Sequence, residues 1–273
     1  MANKKKARLT AKAADPHALY QAAVQCPEAE MNFVEAQFRR LRGREARRIR
    51  EDFCGTAYSS CEWVRRHPQN LAVGLDLDLD TLQWGADHNV AALPAAAQER
   101  VQLLRRDVRE PGPGASSGFD AVLAMNFSYW IFKTREDLRG YFKIVRRSLK
   151  PDGVLFMDVW GGFESMKEQV EKRRCRGFVY QWEQAGYNPV TGDLKCYIHF
   201  EFPDKTRLFR AFTYEWRLWT VPEIRELLLE AGFRKVRFFG EGNDKSGGGN
   251  GVFRETARHD ADASFVAYLV AER

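Results

Sequence analysis

What the chain lacks narrows it first. Its 273 residues hold only five cysteines (Cys26, Cys54, Cys61, Cys175 and Cys196), an odd number with no CxxC and no histidine at metal-ligand spacing. That pattern argues against a disulfide framework or a zinc site and suits reduced thiols in a cytosol, so a cytoplasmic location and no bound metal are expected. No apolar run approaches the roughly 18 residues of a membrane span. The opening stretch MANKKKARLTAKAAD is basic with no apolar segment behind it, so a secretory signal is not expected. Its lack of acids up to residue 14 leaves a mitochondrial-type presequence as the alternative to a frayed, solvated tail.

What is present suits a folded chain. Apolar residues make up 44% and aromatics 13%, enough for one sizeable α/β domain or for a domain with a large insertion. The formal charge is +6, and Arg39, Arg40, Arg42, Arg44, Arg47, Arg48 and Arg50 crowd one stretch. Interleaved with Glu35, Glu45 and Glu51 they read as a solvated helix face. A groove for an anionic partner such as RNA is the sharper alternative, but few aromatics stand among them for base stacking.

Residues 15–46 predict two helices, the second stopped at Gly43. Strand-like and helix-like segments then alternate through RRIRED, SSCEWVRRH, NLAVGLDL, DTLQWGADHNVAAL, RVQLLRRDV, FDAVLAMNF, TREDLRGYFKIVRRSL and VLFMDVW. Such alternation implies a doubly wound α/β fold, a mostly parallel sheet with helices on both faces. From residue 161 the alternation breaks. A short charged helix (GFESMKEQVEKRR) is expected there, then an antiparallel meander of three aromatic-rich strands reaching residue 219. A capped helix, TVPEIRELLLEAGF, and two strands, KVRFFGE and ASFVAYLVAE, close the chain, with the glycine-rich GNDKSGGGNG between them as a mobile loop. The expected organisation is residues 1–46 as tail and cap helices, 47–160 and 220–273 as the core, and 161–219 as a substrate or lid insertion.

In an open α/β sheet, ligands bind beyond the carboxyl ends of the strands. Four successive strands end in polar residues: Glu51, Asp76, Asp107 and Asn126. Asp76 stands 21 residues after Gly55, the spacing at which one carboxylate accepts both hydroxyls of a ribose. One such residue would be ordinary, whereas four in succession point to a nucleoside site.

The run REDFCGTA, VGLDLDLDTL, RRDV, FDAVLAMNFSYW, LKPDGVLFMDVW and TVPEIRELLLEAGF resembles class I S-adenosylmethionine-dependent methyltransferases, with a Rossmann-like core, over about 60% of the chain. The resemblance implies a seven-stranded sheet with its last strand antiparallel. It also implies S-adenosyl-L-methionine as cofactor and S-adenosyl-L-homocysteine as product. By that likeness Glu51 is the first-strand acid, and the loop Phe53, Cys54, Gly55, Thr56 and Ala57 wraps the methionine part. Asp76 holds the ribose, and Leu77 packs on the adenine. Asp107 with Val108 meets the adenine edge, and Asn126 with Phe127 lines the methyl-transfer opening. Phe53 and Ala57 stand where the family favours glycine, and a side chain at Phe53 would crowd the cofactor unless it points into the sheet.

The reaction so implied is in-line methyl transfer from a sulfonium to an amine or hydroxyl of a small molecule. Aromatic residues near the opening and in the insertion, Tyr129, Trp130, Trp160, Tyr180 and Trp182, are the substrate-pocket candidates, with Glu183 available to a cationic nitrogen. No general base stands out. His199 reads as structural, and Tyr20 in the first helix is a minor candidate for cofactor contact. RNA or protein as acceptor, and a non-catalytic binding protein, are the alternatives. A nicotinamide enzyme would require GxGxxG where DFCGTA stands. Monomer and homodimer remain equally open.

Overall fold

A computed structural model describes residues 9–244 and 248–273 of the chain. The first eight residues of the expected tail, and part of the glycine-rich loop, lie outside the described residues. The chain runs α1 (Pro16–Ala23), α2 (Pro27–Arg42), β1 (Arg48–Asp52), α3 (Tyr58–Arg66), β2 (Leu71–Asp76), α4 (Leu79–Gly85), α5 (Ala95–Gln98), β3 (Val101–Arg105) and β4 (Phe119–Ala124). It continues through α6 (Arg135–Ser148), β5 (Leu149–Gly161), β6 (Gln169–Cys175), β7 (Phe178–Tyr187), β8 (Asp193–Glu201), β9 (Arg207–Arg217), α7 (Val221–Glu230), β10 (Lys235–Asn243), β11 (Gly249–Glu255) and β12 (Phe265–Glu272). It divides into two compact units. The larger comprises Pro27–Ser165 and Trp219–Arg273, and the smaller comprises the chain up to Cys26 together with Met166–Leu218.

The larger unit holds one sheet in the order β11-β10-β12-β5-β4-β1-β2-β3. Strands β3, β2, β1, β4 and β5 are parallel, while β12 runs antiparallel to both β5 and β10. The winding reverses between β1 and β4, which is where such sheets open a crevice at their carboxyl edge. Strand β4 is buried along its whole length, as a central parallel strand covered on both faces must be. On one face α2 and α3 bring Met31, Val34, Phe38 and Cys61 onto Ile49, Leu123 and Phe156. Helix α6 buries Leu138, Tyr141, Phe142 and Val145, the stripe its period requires, and starts on the Thr134 cap.

The sheet has eight strands rather than the expected seven. The extra strand is β11, which the glycine-rich composition predicted as loop. Pairing uses backbone groups that glycine supplies as well as any residue, and Phe253 gives the strand an apolar anchor, its ring 4.5 Å from that of Tyr268. A second correction concerns residues 162–174, expected as a charged helix. They form a short 3-10 turn and then β6, the charged edge strand of a second sheet. Lysine and arginine are what solvent-facing edges tolerate, and the seven residues QVEKRRC carry no helical apolar stripe.

The arginine stretch is built into the larger unit. Arg39 and Arg47 pair with Glu45, Arg40 with Glu255, Arg42 with Glu272 and Arg44 with Asp120 and Asp152. Arg48 donates to the carbonyls of Gly114 and Ser117. None of the seven is left without a protein partner. Asp120 is fully buried and accepts from the backbone amides of Arg47 and Arg48, both at 2.9 Å, and from the Lys150 ammonium at 2.8 Å. Burial works to raise its pKa, but these hydrogen bonds prevail and hold the carboxyl below its ordinary range. Arg50 and Asp52, two residues apart on β1, form a wholly buried bidentate pair at 2.7 and 2.8 Å, and the Tyr141 hydroxyl donates to the same carboxylate at 2.9 Å.

The smaller unit is an antiparallel meander, β6-β7-β8-β9, with four strands where three were expected. Helix α1 contributes Leu19 and Ala23 to its core beside Phe178, Ile198 and Phe200. Among the described residues no helix is long and apolar enough to cross a membrane.

Removing one partner of a buried ion pair leaves the other charge uncompensated. Asp52→Ala should therefore lower the unfolding free energy by about 3–5 kcal/mol in denaturant titration. A loss under about 1 kcal/mol would show that the Arg50–Asp52 pair does not anchor β1.

Candidate functional site

Strand β1 ends in the loop quoted above, and its backbone explains the glycine pattern. Phe53, Gly55 and Ala57 all take left-handed conformations, with φ of 57°, 51° and 57°. Only glycine does this freely, and a residue with a Cβ is disfavoured there by about 1–2 kcal/mol. Packing offsets the cost at both non-glycine positions. The Phe53 ring lies 6.1 Å from Phe132 and 5.8 Å from Tyr141, and Ala57 is fully buried beside Cys54 and Leu82. The loop is clasped from outside. Gly55 N donates to Asp76 Oδ2 at 2.8 Å, and Asn89 Nδ2 donates to the Thr56 carbonyl at 2.8 Å. A Cβ at Gly85 would come within 2.5 Å of that carbonyl, so glycine is what lets the end of α4 close on the loop.

Asp76 stands at the end of β2. Besides Gly55 N it accepts from Asp78 N at 3.0 Å through Oδ1, so each oxygen holds one backbone amide and keeps a lone pair. Asp107, after β3, is gripped by Arg109 at 2.7 Å. That hydrogen bond, stronger than the opposing effect of burial, holds its carboxyl below the ordinary range. Between these acids lies a cleft of about 200 Å³, lined by Phe53, Asp76, Leu77, Asp107, Val108 and Phe132, with Arg109 and Ile131 at its rim. Leu77 and Ile131 are exposed apolar side chains flanking it.

On the face covered by α2 and α3, buried carboxylates converge. Glu51 accepts from Ser60 N at 2.9 Å and from Ser60 Oγ at 2.5 Å, and Glu30 of α2 accepts from Ser59 Oγ at 3.1 Å. Burial, reinforced by the Glu30 charge, pushes the Glu51 carboxyl up to about 8. Asp158, on β5, is pushed up to about 7 by burial despite hydrogen bonds from the amides of Phe127 and Asn126. Asn126 and Phe127 follow β4 as two consecutive left-handed residues, with φ of 58° and 55°. The rings of Phe127, Trp130 and Trp160 gather beside them, 5.5 Å from Phe127 to Trp130 and 6.1 Å from Trp130 to Trp160.

The candidate residues therefore divide. Glu51, the Phe53–Ala57 loop, Asp76, Leu77, Asp107, Val108, Asn126 and Phe127 stand together along one sheet edge. Tyr129 is fully buried and its hydroxyl donates to the Asp158 carbonyl at 2.8 Å, which makes it a strut under this edge. Tyr180 and Trp182 belong to the smaller unit, Tyr180 under the Arg173 guanidinium at 5.3 Å and Trp182 beside Tyr214 at 5.7 Å. There Glu183 pairs with His199 at 2.7 Å, and Tyr20 packs on Phe212 at 4.9 Å. Sequence reasoning missed Glu30, Arg109, Ile131, Phe132 and Asp158. Asp158 carried a related signal, an acid near the carboxyl end of a strand, in FMDVW.

Known proteins share this fold. Residues 52–157 match the family described as a methyltransferase domain. A putative methyltransferase of Bacillus subtilis, YqeM, is 27% identical over 197 residues, 71% of this chain and 76% of that protein. An S-adenosylmethionine-dependent methyltransferase of Clostridium acetobutylicum superposes with a TM-score of 0.68 at 14% identity, covering 94% of this chain and 96% of its own. CalS10, an amino pentose methyltransferase of Micromonospora echinaspora solved with S-adenosylmethionine bound, gives 0.65 at 18% identity, covering 94% and 95%. Sheet order and domain match together define a methyltransferase fold. The chain is a class I S-adenosylmethionine-dependent methyltransferase.

The raised carboxyls have a consequence for stability. A carboxyl whose folded pKa lies above its unfolded value binds more protons folded than unfolded in the interval between them, so stability falls as pH rises through that interval. For Glu51 and Asp158 the interval runs from the ordinary carboxylate range to about 8 and about 7. Unfolding free energy should thus decline between pH 5.5 and 8, by at most about 1.4 kcal/mol per unit for each group. Glu51→Gln should flatten the profile. A profile as steep as that of the wild type would contradict the raised pKa.

Proposed function

We propose that the cleft between Asp76 and Asp107 takes the nucleoside of S-adenosylmethionine and that the methyl acceptor is an amine or hydroxyl of a small molecule. The observation carrying the first part is that Asp76 offers one unengaged lone pair on each oxygen at the mouth of a cleft with apolar walls. Two vicinal hydroxyls fit such a carboxylate. Leu77, Val108 and Phe132 would flank the base, and Asp107 would accept from its amino group if Arg109 swings aside. Glu51 and the Gly55 loop would face the methionine part. When bound, S-adenosylmethionine supplies a methyl group made electrophilic by a sulfonium. What this chain adds is alignment and exclusion of water, through the Asn126–Phe127 turn and the rings behind it.

Two observations support a small acceptor. The arginines that could have tracked a nucleic-acid backbone are engaged by carboxylates and carbonyls of the same unit. The Phe127, Trp130 and Trp160 rings form a poorly hydrated aromatic wall that suits a nitrogen gaining charge as it is alkylated. One of the similar structures is described as an amino pentose methyltransferase, a reading compatible with a small acceptor. Cytoplasmic residence belongs to the same proposal and is supported by five unbridged cysteines.

Calorimetry with S-adenosylmethionine tests the site. Asp76→Ala should weaken binding by about 2–4 kcal/mol through the lost ribose hydrogen bonds, and unchanged affinity would sink the assignment. For the acceptor, release of S-adenosylhomocysteine should be stimulated by members of a panel of small amines, amino sugars and alcohols. Turnover with RNA or protein alone would refute a small-molecule acceptor.

A further inference from the structure

We propose that Asp158 is a positioning residue for methyl transfer, its carboxylate clamping the backbone of Asn126 and Phe127 and so setting the shape of the opening. This rests on the reading of Asn126 as a residue lining that opening. Asn126 N donates to Asp158 Oδ2 at 2.7 Å and Phe127 N to Oδ1 at 2.9 Å, one oxygen for each amide. Those amides belong to two consecutive left-handed residues, neither of them glycine. Such a pair is disfavoured unless its surroundings over-determine it. Two neighbouring amides turned the same way form an anion-binding concavity, and here the chain's own carboxylate fills it.

The grip extends further along the chain. The Asp158 carbonyl accepts the Tyr129 hydroxyl at 2.8 Å, so side chain and main chain of one residue hold three residues of the 126–129 segment. Beyond it, the 3-10 turn Ser128–Ile131 carries Trp130 into the aromatic wall and Ile131 to the rim of the nucleoside cleft. A shift at Asp158 is thereby felt in both halves of the proposed site.

The clamp needs a charged acceptor. An asparagine in its place has one carbonyl oxygen and would set its amino group against the second amide. Among the described residues no cation pairs with Asp158. The groups facing it are the Glu30 carboxyl from α2, the Tyr129 hydroxyl and, directly opposite on β12, Tyr268. A proton is therefore what opens it, and its ionisation falls near neutrality.

Hydrogen exchange at the amides of Asn126 and Phe127, measured between pH 6 and 8.5 beside calorimetry with S-adenosylhomocysteine, tests the clamp. Because the two amides lower the pKa of a carboxyl that burial raises, protonation weakens them while Asp158 stays buried, and their wild-type protection, corrected for intrinsic exchange, should rise with pH from about 7 upward. In Asp158→Asn protection should fall about tenfold at pH 8 and lose that pH dependence, with a similar loss of S-adenosylhomocysteine affinity. Wild-type protection and affinity in Asp158→Asn would overturn the proposal. If that variant does not fold, Asn126→Gly together with Phe127→Gly in the same background removes the conformational strain. Folding should then return without the two protected amides or the affinity, and recovery of both would overturn the clamp. A wild-type protein that fails to bind S-adenosylhomocysteine would instead defeat the reading of the site on which the proposal rests.

Discussion

Carboxylates accepting backbone amides hold the working edge of this protein in shape. A parallel sheet delivers each strand to the same edge and must then turn the chain sharply, leaving N–H groups with no ladder partner. Here an acid from a nearby strand takes up those groups. Asp76 holds the amide of Gly55, Glu51 holds that of Ser60, and Asp158 holds those of Asn126 and Phe127. At the opposite edge Asp120 does the same for Arg47 and Arg48 as β1 begins. Because Asp76, Glu51 and Asp158 each fix a left-handed turn or a helix start, the cleft between the strand ends follows from these contacts rather than from loop flexibility.

The two edges are solved differently in electrostatic terms. Asp120 is buried but receives cations from Arg44 and Lys150, and its charge is favoured. Glu51 and Asp158 are buried with amides and hydroxyls alone, so desolvation prevails and both carboxyls titrate near neutrality. A fold selected only for stability would have little reason to place two uncompensated carboxyls within reach of the Glu30 charge. Their arrangement fits a site that receives positive charge from a ligand, as the sulfonium and ammonium of S-adenosylmethionine would provide.

The loop after β1 takes three left-handed turns with a single glycine. All three alternate positions remain left-handed, yet only Gly55 is glycine. Phe53 exchanges conformational ease for ring packing against Phe132 and Tyr141 and becomes part of the cleft wall. Ala57 is small enough to keep α3 against β1.

Much of this protein was settled by local pattern. Alternating strand and helix periods, the Thr134 and Thr220 caps, and acids at successive strand ends determined a doubly wound sheet with its ligand edge, since each is a short-range signal that survives in one sequence. Where backbone pairing outweighed side-chain pattern, the sequence misled. Glycine-rich β11 looked like linker and charged β6 looked like helix, because an edge strand is stabilised by hydrogen bonds that composition does not encode. The arginine stretch was equally open, since its partners Asp120, Asp152, Glu255 and Glu272 lie far along the chain. Only tertiary structure could decide the Asp158 clamp and the Glu30–Glu51 proximity. A carboxylate's role depends on which amides and charges surround it, and those neighbours are brought together by strand order, not by sequence distance.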